Sequence, residues 1–304
     1  MLRSNPLIKA YLALAAICFF WGTTYLGIRI ALESFPPLTL VSLRFLVSGG
    51  LMLAGAKIMR AHLPRGRELL ATASNGVLIL AVGNSCLTFA ELWIPSGLAA
   101  LLITASPLWM VGVDAMLPGG DRLRRQTLIG IIVGALGVAL LLAPQAKGSP
   151  AVGRGVWPAF LLLQMANFSW SLGSIRQRRL QGRAHPVVSG AVQQLAAGLI
   201  VLPFTVIEWS RPVNWSLRGA GAVLYLVFFG SIVGYSAYIY AMDKLPVALV
   251  SIYTYVNPIV AVWLGWLFYR EPFGWWEAGA MLVVFLGVAI VKRFSQSPVA
   301  VEVD

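Results

Sequence analysis

Long apolar runs alternate with short polar segments from one end of the chain to the other. About 20 apolar residues, each adding about 1.5 Å to a helix, are needed to cross the roughly 30 Å of hydrocarbon in a bilayer. The pattern therefore predicts an all-α polytopic membrane protein with ten transmembrane helices. Their approximate spans are 10–30, 38–58, 69–90, 96–117, 127–143, 156–175, 187–207, 219–241, 247–268 and 275–291.

The composition supports this interpretation. Of 304 residues, 59% are hydrophobic and 11% are charged, which leaves more apolar surface than a soluble domain of this size can bury. The first apolar run is longer than the hydrophobic region of a signal peptide, so we expect an uncleaved first helix. The two cysteines, Cys18 and Cys86, and the two histidines have no spacing typical of a metal site. No metal and no cofactor are predicted.

The net charge of +12 has a membrane explanation. A nucleic-acid-binding protein gathers Lys and Arg into one stripe, whereas here they lie in short segments between apolar runs, so no nucleic-acid partner is expected. Most of them fall near the two termini and in the second, fourth and sixth connectors. Because cytoplasmic loops carry the excess of Lys and Arg, both termini are predicted to be cytoplasmic.

The chain contains an internal repeat. A shift of 151 residues places identical residues on each other, and with small gaps Trp21 meets Trp170. Each half then holds five helices, so the second half enters the membrane from the opposite face and an inverted repeat results. We predict a first repeat at 1–146, a second at 147–293 and a cytoplasmic tail at 294–304. The clearest identities are Val82, Gly83, Pro95 and Pro107 with Val233, Gly234, Pro246 and Pro258.

Several short segments occur in a characteristic order in both halves of the chain: 20–25, 43–46, 95–101, 107–108, 257–258, 270–273, 275–276 and 287–288. Through these segments the sequence resembles the EamA-type permeases of the drug/metabolite transporter superfamily along nearly its whole length. The resemblance implies two inverted five-helix repeats in the bacterial cytoplasmic (inner) membrane. It also implies transport, commonly export, of small metabolites such as amino acids, or of drug-like compounds. Arg270 departs from the family pattern, which often has a small residue before the Glu-Pro pair.

Arg44 is the least expected residue in an apolar run. A cation about two turns inside a membrane helix costs roughly 2.5–3.5 kcal/mol on insertion scales, so it requires a partner. Glu91, at the end of the third predicted helix, lies in the same outer third of the bilayer. We predict an Arg44–Glu91 pair that closes an outer gate; a permanent structural bridge is the alternative, and Arg29 and Glu33 compete as partners.

Two prolines, Pro107 and Pro258, are predicted to kink the fourth and ninth helices and to act as hinges near a substrate site, with a static kink as the alternative. Aromatic faces, hydroxyls and amides at mid-helix depth suit an amphipathic zwitterion. Interhelical hydrogen bonding is the alternative role for such polar groups. The candidate substrate-binding residues are Trp21, Thr24, Asn84, Thr88, Asn167, Trp170, Tyr235, Tyr238, Tyr253 and Asn257.

Motifs for other mechanisms are missing from the sequence. There is no Gly-x-x-x-x-Gly-Lys-Ser/Thr loop, so an ion or substrate gradient is expected to drive transport, and proton coupling and uncoupled facilitation both stay open. No His-Glu-x-x-His motif indicates an enzyme. We predict alternating-access export of small amphipathic metabolites, in particular neutral or aromatic amino acids. The alternatives are efflux of cationic or drug-like compounds attracted by Glu91 and, less favoured, lipid scrambling.

Overall fold

The computed structural model describes residues 6–119, 124–147, 150–179, 185–245, 247–250 and 252–295. Within these ranges every regular element is helical and none is a strand. The helices are α1 (Pro6–Ala31), α2 (Pro37–Ile58), α3 (Gly66–Ala90), α4 (Ser96–Met116), α5 (Arg125–Lys147), α6 (Pro150–Arg179), α7 (Pro186–Val201, continued by a 3-10 helix at Leu202–Glu208), α8 (Leu217–Tyr225, Leu226–Val233 and Gly234–Lys244 in succession), α9 (Tyr253–Tyr269, preceded by a short helix at Val247–Val250) and α10 (Trp275–Ser295).

Seven of these helices are long and apolar enough to cross a membrane, judged over the described residues: α1 to α5, α7 and α8. The prediction of an all-α polytopic membrane protein is confirmed. The exact number of ten crossings stays a prediction, which concerns α6, α9 and α10. Among these, α9 has 17 residues, slightly fewer than a full crossing usually takes.

The helices pack in a pattern that repeats after five. Helix α1 packs against α8 and α9, and α6 correspondingly packs against α3 and α4. Helix α2 packs against α7, and α5 packs against α10. If every helix is replaced by the one five places later, and the numbering restarts at α1 after α10, the same set of pairings results. The two halves are therefore pseudo-equivalent, and their helices pack against each other in corresponding pairs.

Close backbone contacts give the relative direction of the equivalent helices. A Cβ atom at Gly49 of α2 would lie 2.7 Å from the Leu195 nitrogen of α7, and one at Gly198 would lie 2.8 Å from the Leu46 nitrogen. Position 49 thus faces 195 while position 46 faces 198, so α2 and α7 run antiparallel. Glycine is required at both crossings because no side chain fits between the two backbones.

Helices α3 and α8 share a local distortion. Each contains a π-helical segment, at Val77–Val82 and at Leu226–Val233, and each segment ends immediately before a glycine. Those glycines, Gly83 and Gly234, are the residues that the predicted repeat aligns. A π-helical turn changes the direction of the side chains that follow it. Both helices are therefore distorted at equivalent positions, where they border the interior cavity.

Candidate functional site

A cavity of about 120 Å³ lies in the centre of the bundle, lined by residues of α1 to α4 and α6 to α9. Most of the predicted substrate-binding residues line it. Tyr238 and Thr88 do not: Tyr238 packs behind the wall against Trp21, and the buried Thr88 hydroxyl donates to the Asn84 carbonyl at 2.7 Å. The predicted residues that line the cavity are Trp21, Thr24, Asn84, Asn167, Trp170, Tyr235, Tyr253 and Asn257.

Arg44 is the single charged side chain among the described residues that line this cavity. It is 7% exposed, and its Nε donates to Ser231 Oγ at 2.7 Å, while Nη1 donates to Asn84 Oδ1 at 3.4 Å. In the described part of the chain, no Asp or Glu forms an ion pair with it. The predicted Arg44–Glu91 pair is therefore absent from this conformation, because the guanidinium faces the hydroxyl and amide of α8 and α3 instead.

An aromatic cluster forms the wall of the cavity around Trp21. The centroid of the Trp21 ring lies 5.8 Å from that of Trp170, 5.1 Å from that of Tyr238 and 5.3 Å from that of Tyr253. The Trp21 indole nitrogen donates to the Gly230 carbonyl at 3.1 Å, which fixes the ring. The two tryptophans predicted as repeat partners are thus in edge-to-face contact, a favourable aromatic geometry.

The two predicted hinge prolines occupy different local structures. Helix α4 is interrupted at Thr104 and Ala105, and Pro107 lies in the first turn of the segment that follows. The Ser106 hydroxyl donates at 2.7 Å to the Ile103 carbonyl, which the proline nitrogen cannot satisfy. Pro258 lies inside the continuous helix α9 and lines the cavity, whereas Pro107 does not. The hinge role of both stays a prediction.

Glu91 lies outside the cavity, at the end of the bundle where α3 and α9 finish and α4 and α10 begin, here called the Glu91 end. Its side chain is 0% exposed. Arg29 Nη1 donates to its backbone carbonyl at 2.5 Å rather than to its carboxylate. Glu33, which was predicted as a competing partner in the Arg44–Glu91 pair, instead forms an ion pair with Arg218 at 3.5 Å.

Two glutamates that sequence reasoning did not select hold helices together at the same end. Glu271 accepts hydrogen bonds from the backbone nitrogens of Ser96 and Gly97, both at 2.9 Å, at the start of α4. Glu208 accepts from Leu38 N at 2.9 Å and Thr39 N at 3.0 Å at the start of α2. A carboxylate at a helix N-terminus is stabilised by the unpaired N–H groups and the helix dipole.

These residues, like Ser231, could not be found from local sequence patterns. Each acts on a partner more than 160 residues away in the chain. The Glu271-Pro272 pair belongs to the segment that carried the family resemblance, and this was the one available signal for Glu271. Its role in capping α4 requires the folded arrangement of both halves.

Comparison with known proteins gives concordant findings. The EamA-like transporter family matches at residues 8–143 and 157–293. An Escherichia coli K12 protein called the uncharacterized inner membrane transporter YedA is 36% identical over 295 residues, which are 95% of this chain and 92% of that protein. A Salmonella typhimurium protein called a probable amino-acid metabolite efflux pump is 26% identical over 287 residues, 90% of this chain and 91% of that one. A solved crystal structure has the same fold, with a TM-score of 0.66 at 22% identity over 95% of this chain and 99% of that chain.

Proposed function

Because the chain belongs to the EamA-like transporter family of the drug/metabolite transporter superfamily and is a multi-pass transporter of the bacterial inner membrane, we propose a substrate class for it. The substrates are small amphipathic metabolites with a free carboxylate, in particular neutral or aromatic amino acids, and the protein exports them by alternating access. The family is one of transporters, not of enzymes.

The observation that carries this proposal is Arg44 in the cavity wall, which forms no ion pair with any residue that the structure describes. A guanidinium has five N–H donors, and Ser231 and Asn84 accept two hydrogen bonds from it. A buried cation without a counter-ion is costly, whereas a carboxylate that binds two guanidinium nitrogens supplies both charge and geometry. The carboxylate of an entering substrate completes this site.

The aromatic part of the cavity wall suits the rest of an amino acid. The Trp21 and Trp170 rings, with Tyr253 beside them, offer faces for an ammonium group and for an apolar side chain. A volume of about 120 Å³ is somewhat below the roughly 150 Å³ of an engineered apolar cavity that binds benzene. The cavity in this conformation therefore suits a small metabolite rather than a large drug molecule.

The charge of the cavity argues against cationic substrates. That alternative requires Glu91 as an attracting charge, but Glu91 does not line the cavity, and the single lining charge among the described residues is positive. The name of the Salmonella relative, a probable amino-acid metabolite efflux pump, is in line with the proposed class.

We further propose that α6, α9 and α10 also cross the membrane, which gives ten crossings with both termini in the cytoplasm. The antiparallel contact of α2 with α7 supports an inverted arrangement of the two repeats. We place the repeats at 1–146 and 147–293, so that the division falls at the last residue of α5, shortly before the start of α6. The tail at 294–304 lies mostly outside the described residues.

A competition experiment in proteoliposomes tests the substrate class. Uptake of radiolabelled phenylalanine is measured against phenylpropionate, which keeps the carboxylate, and phenethylamine, which keeps the ammonium group. We expect phenylpropionate to compete and phenethylamine to fail, and we expect Arg44→Ala to lose most phenylalanine transport. Arg211→Ala, an exposed arginine outside the cavity, is the matched control and should transport normally. Equal competition by the amine would refute the proposed class.

A further inference from the structure

The Glu91 side chain has an unusual environment for a carboxyl group. It is 0% exposed, and neither carboxylate oxygen has a hydrogen-bond partner in the described part of the protein. Buried carboxylates normally accept several hydrogen bonds or pair with a cation. Glu91 follows directly on Ala90, the last residue of α3, so it lies near the end of the bundle rather than in the middle of a helix.

The groups around Glu91 offset a negative charge there only in part. From α1, Tyr25 and Arg29 act electrostatically on it, and from the connection between α9 and α10 Glu271 does so with the same sign of charge. Arg29 donates to the Glu91 backbone carbonyl, and both oxygens of Glu271 are used on the start of α4. An ionised carboxylate that is buried away from solvent, has no hydrogen-bond donor among the described residues and has a second carboxylate nearby is disfavoured relative to the neutral acid.

The same end of the bundle is closed by contacts between the two halves. Glu271, after α9, caps α4. Glu33, in the turn after α1, pairs with Arg218 of α8 at 3.5 Å, and Tyr269 of α9 hydrogen-bonds to both. Opening of this end during alternating access must separate these helices and admit water to Glu91. The carboxyl group is therefore buried in the closed state and hydrated in the open state.

We propose that Glu91 is a proton-binding site of the gate at this end of the transporter. The carboxyl group keeps its proton while the gate is closed; on opening, its O–H bond breaks, the proton passes to water and the carboxylate is left hydrated. Closure requires that a proton be taken up again. Low pH on this side therefore stabilises the closed gate and high pH favours the open one. The inference rests on the alternating access of the proposed function, but not on its substrate class.

The test measures gate opening without any substrate. Ile94→Cys, at a position that is 2% exposed beside the gate, is made in a protein with Cys18 and Cys86 replaced by Ala, and is labelled with a hydrophilic maleimide in lipid nanodiscs. Its rate is divided by that of an exposed cysteine, Arg211→Cys, to remove the pH dependence of the thiol itself. We expect the ratio to rise by at least about tenfold from roughly pH 5 to pH 8.

Glu91→Gln, which imitates the neutral acid in size and hydrogen bonding, should abolish this rise and keep labelling slow at every pH. Glu277→Gln is the matched control: this acid lies at the same end, but its carboxylate accepts from Gly274 N outside the gate, so the rise should persist. A pH rise that survives in Glu91→Gln, no rise in the unmodified background, or a rise that follows Na⁺ instead of pH would each overturn the proposal. Failure of phenylalanine to be transported would refute the substrate class and leave this result standing.

Discussion

The first and second halves of the chain each contain a polar link beside the cavity, and the two links differ in charge. In the first half, Arg44 of α2 donates to Asn84 of α3 at 3.4 Å. In the second half, the Tyr235 hydroxyl of α8 donates to the Gln193 amide oxygen of α7. The same two helices of each repeat are joined at the same place, once through a cation and once through neutral groups.

Spacing in the chain shows that the two links are equivalent. Arg44 and Gln193 are 149 residues apart, as are the paired tryptophans of α1 and α6. Asn84 and Tyr235 are 151 residues apart, as are the glycines that follow the π-helical segments of α3 and α8. The two links therefore lie at equivalent positions in the two repeats.

A second pair of links follows the same rule. The Ser106 hydroxyl of α4 lies 2.6 Å from Asn167 Oδ1 of α6, so its one proton is shared between that oxygen and the Ile103 carbonyl. With its amide oriented by its surroundings, Asn257 of α9 donates to the Cys18 carbonyl of α1 at 2.9 Å. Here both links are neutral. The cavity therefore has a nearly symmetric frame in which Arg44 is the main chemical difference.

This combination suits a carrier of small polar molecules. A symmetric frame has two related packings, with the site open to one side or to the other, which is what alternating access requires. A single cation makes that frame asymmetric, so a substrate of the proposed class would place its carboxylate beside Arg44. We infer that the repeat supplies the movement and the departure from the repeat supplies recognition.

The largest expected effect comes from removing the difference in charge. Arg44→Gln makes the first link neutral like the second, and we expect phenylalanine transport at low substrate concentration to fall by roughly 100-fold, since hydrogen bonds to charged groups contribute about 1.5–3 kcal/mol. Gln193→Ala should cost less than about tenfold because that group is neutral. Initial rates in proteoliposomes, with melting temperatures as a check on folding, measure both. Losses of similar size would remove the distinction between the halves.

The next effect tests the symmetric frame itself. Gly49→Ala and Gly198→Ala each force a Cβ against the backbone of the opposite helix, at 2.7 Å and 2.8 Å. We expect both to destabilise the fold by about 1–3 kcal/mol and by similar amounts, because the contacts are reciprocal. Gly50→Ala is the matched control, since a Cβ there has no atom within 4 Å. Thermal unfolding in detergent gives the three values; a large effect at one glycine alone would contradict the reciprocity.

The frame was predictable from the sequence because its signals are periodic and local. Apolar runs of membrane length and the repeated positions around Gly83 and Gly234 required no knowledge of contacts. The aromatic wall followed from the repeat, since Trp21 and Trp170 align and lie at equal depth. Helix α6, in contrast, extends from Pro150 to Arg179, beyond its predicted span of 156–175, because polar residues do not by themselves end a helix.

The partners of the charged residues could not be predicted. Arg44 was expected to pair with Glu91 because both lie in the same third of the bilayer. Depth in the membrane does not determine the direction in which a side chain points around its helix. Rotation of α2 places Arg44 against Ser231 of α8, which is 187 residues away, and Glu91 is enclosed near Arg29 and Glu271. Such contacts depend on how the two halves interlock, and no spacing within one half contains that information.

The smallest expected effect concerns the two tryptophans and sharpens the comparison in the aromatic wall. Trp21→Ala and Trp170→Ala each remove one ring of an edge-to-face pair. We expect phenylalanine transport to weaken by a few-fold more than alanine transport in both, since an aromatic contact contributes about 0.5–1.5 kcal/mol beyond burial. The loss should be larger for Trp21, because its indole also donates to Gly230 and contacts Tyr238 and Tyr253.

Ratios of phenylalanine to alanine uptake in proteoliposomes separate recognition from folding, because misfolding lowers both substrates together. Trp209→Ala, at a site that is 87% exposed and outside the cavity, should leave the ratio unchanged. If Trp21→Ala and Trp170→Ala also leave it unchanged, the wall serves packing alone, and Arg44 must account for recognition without aromatic help. If only Trp21→Ala changes the ratio, the two tryptophans differ in function although their positions are equivalent, just as Arg44 differs from Gln193. The equivalence of the halves is then confined to the backbone.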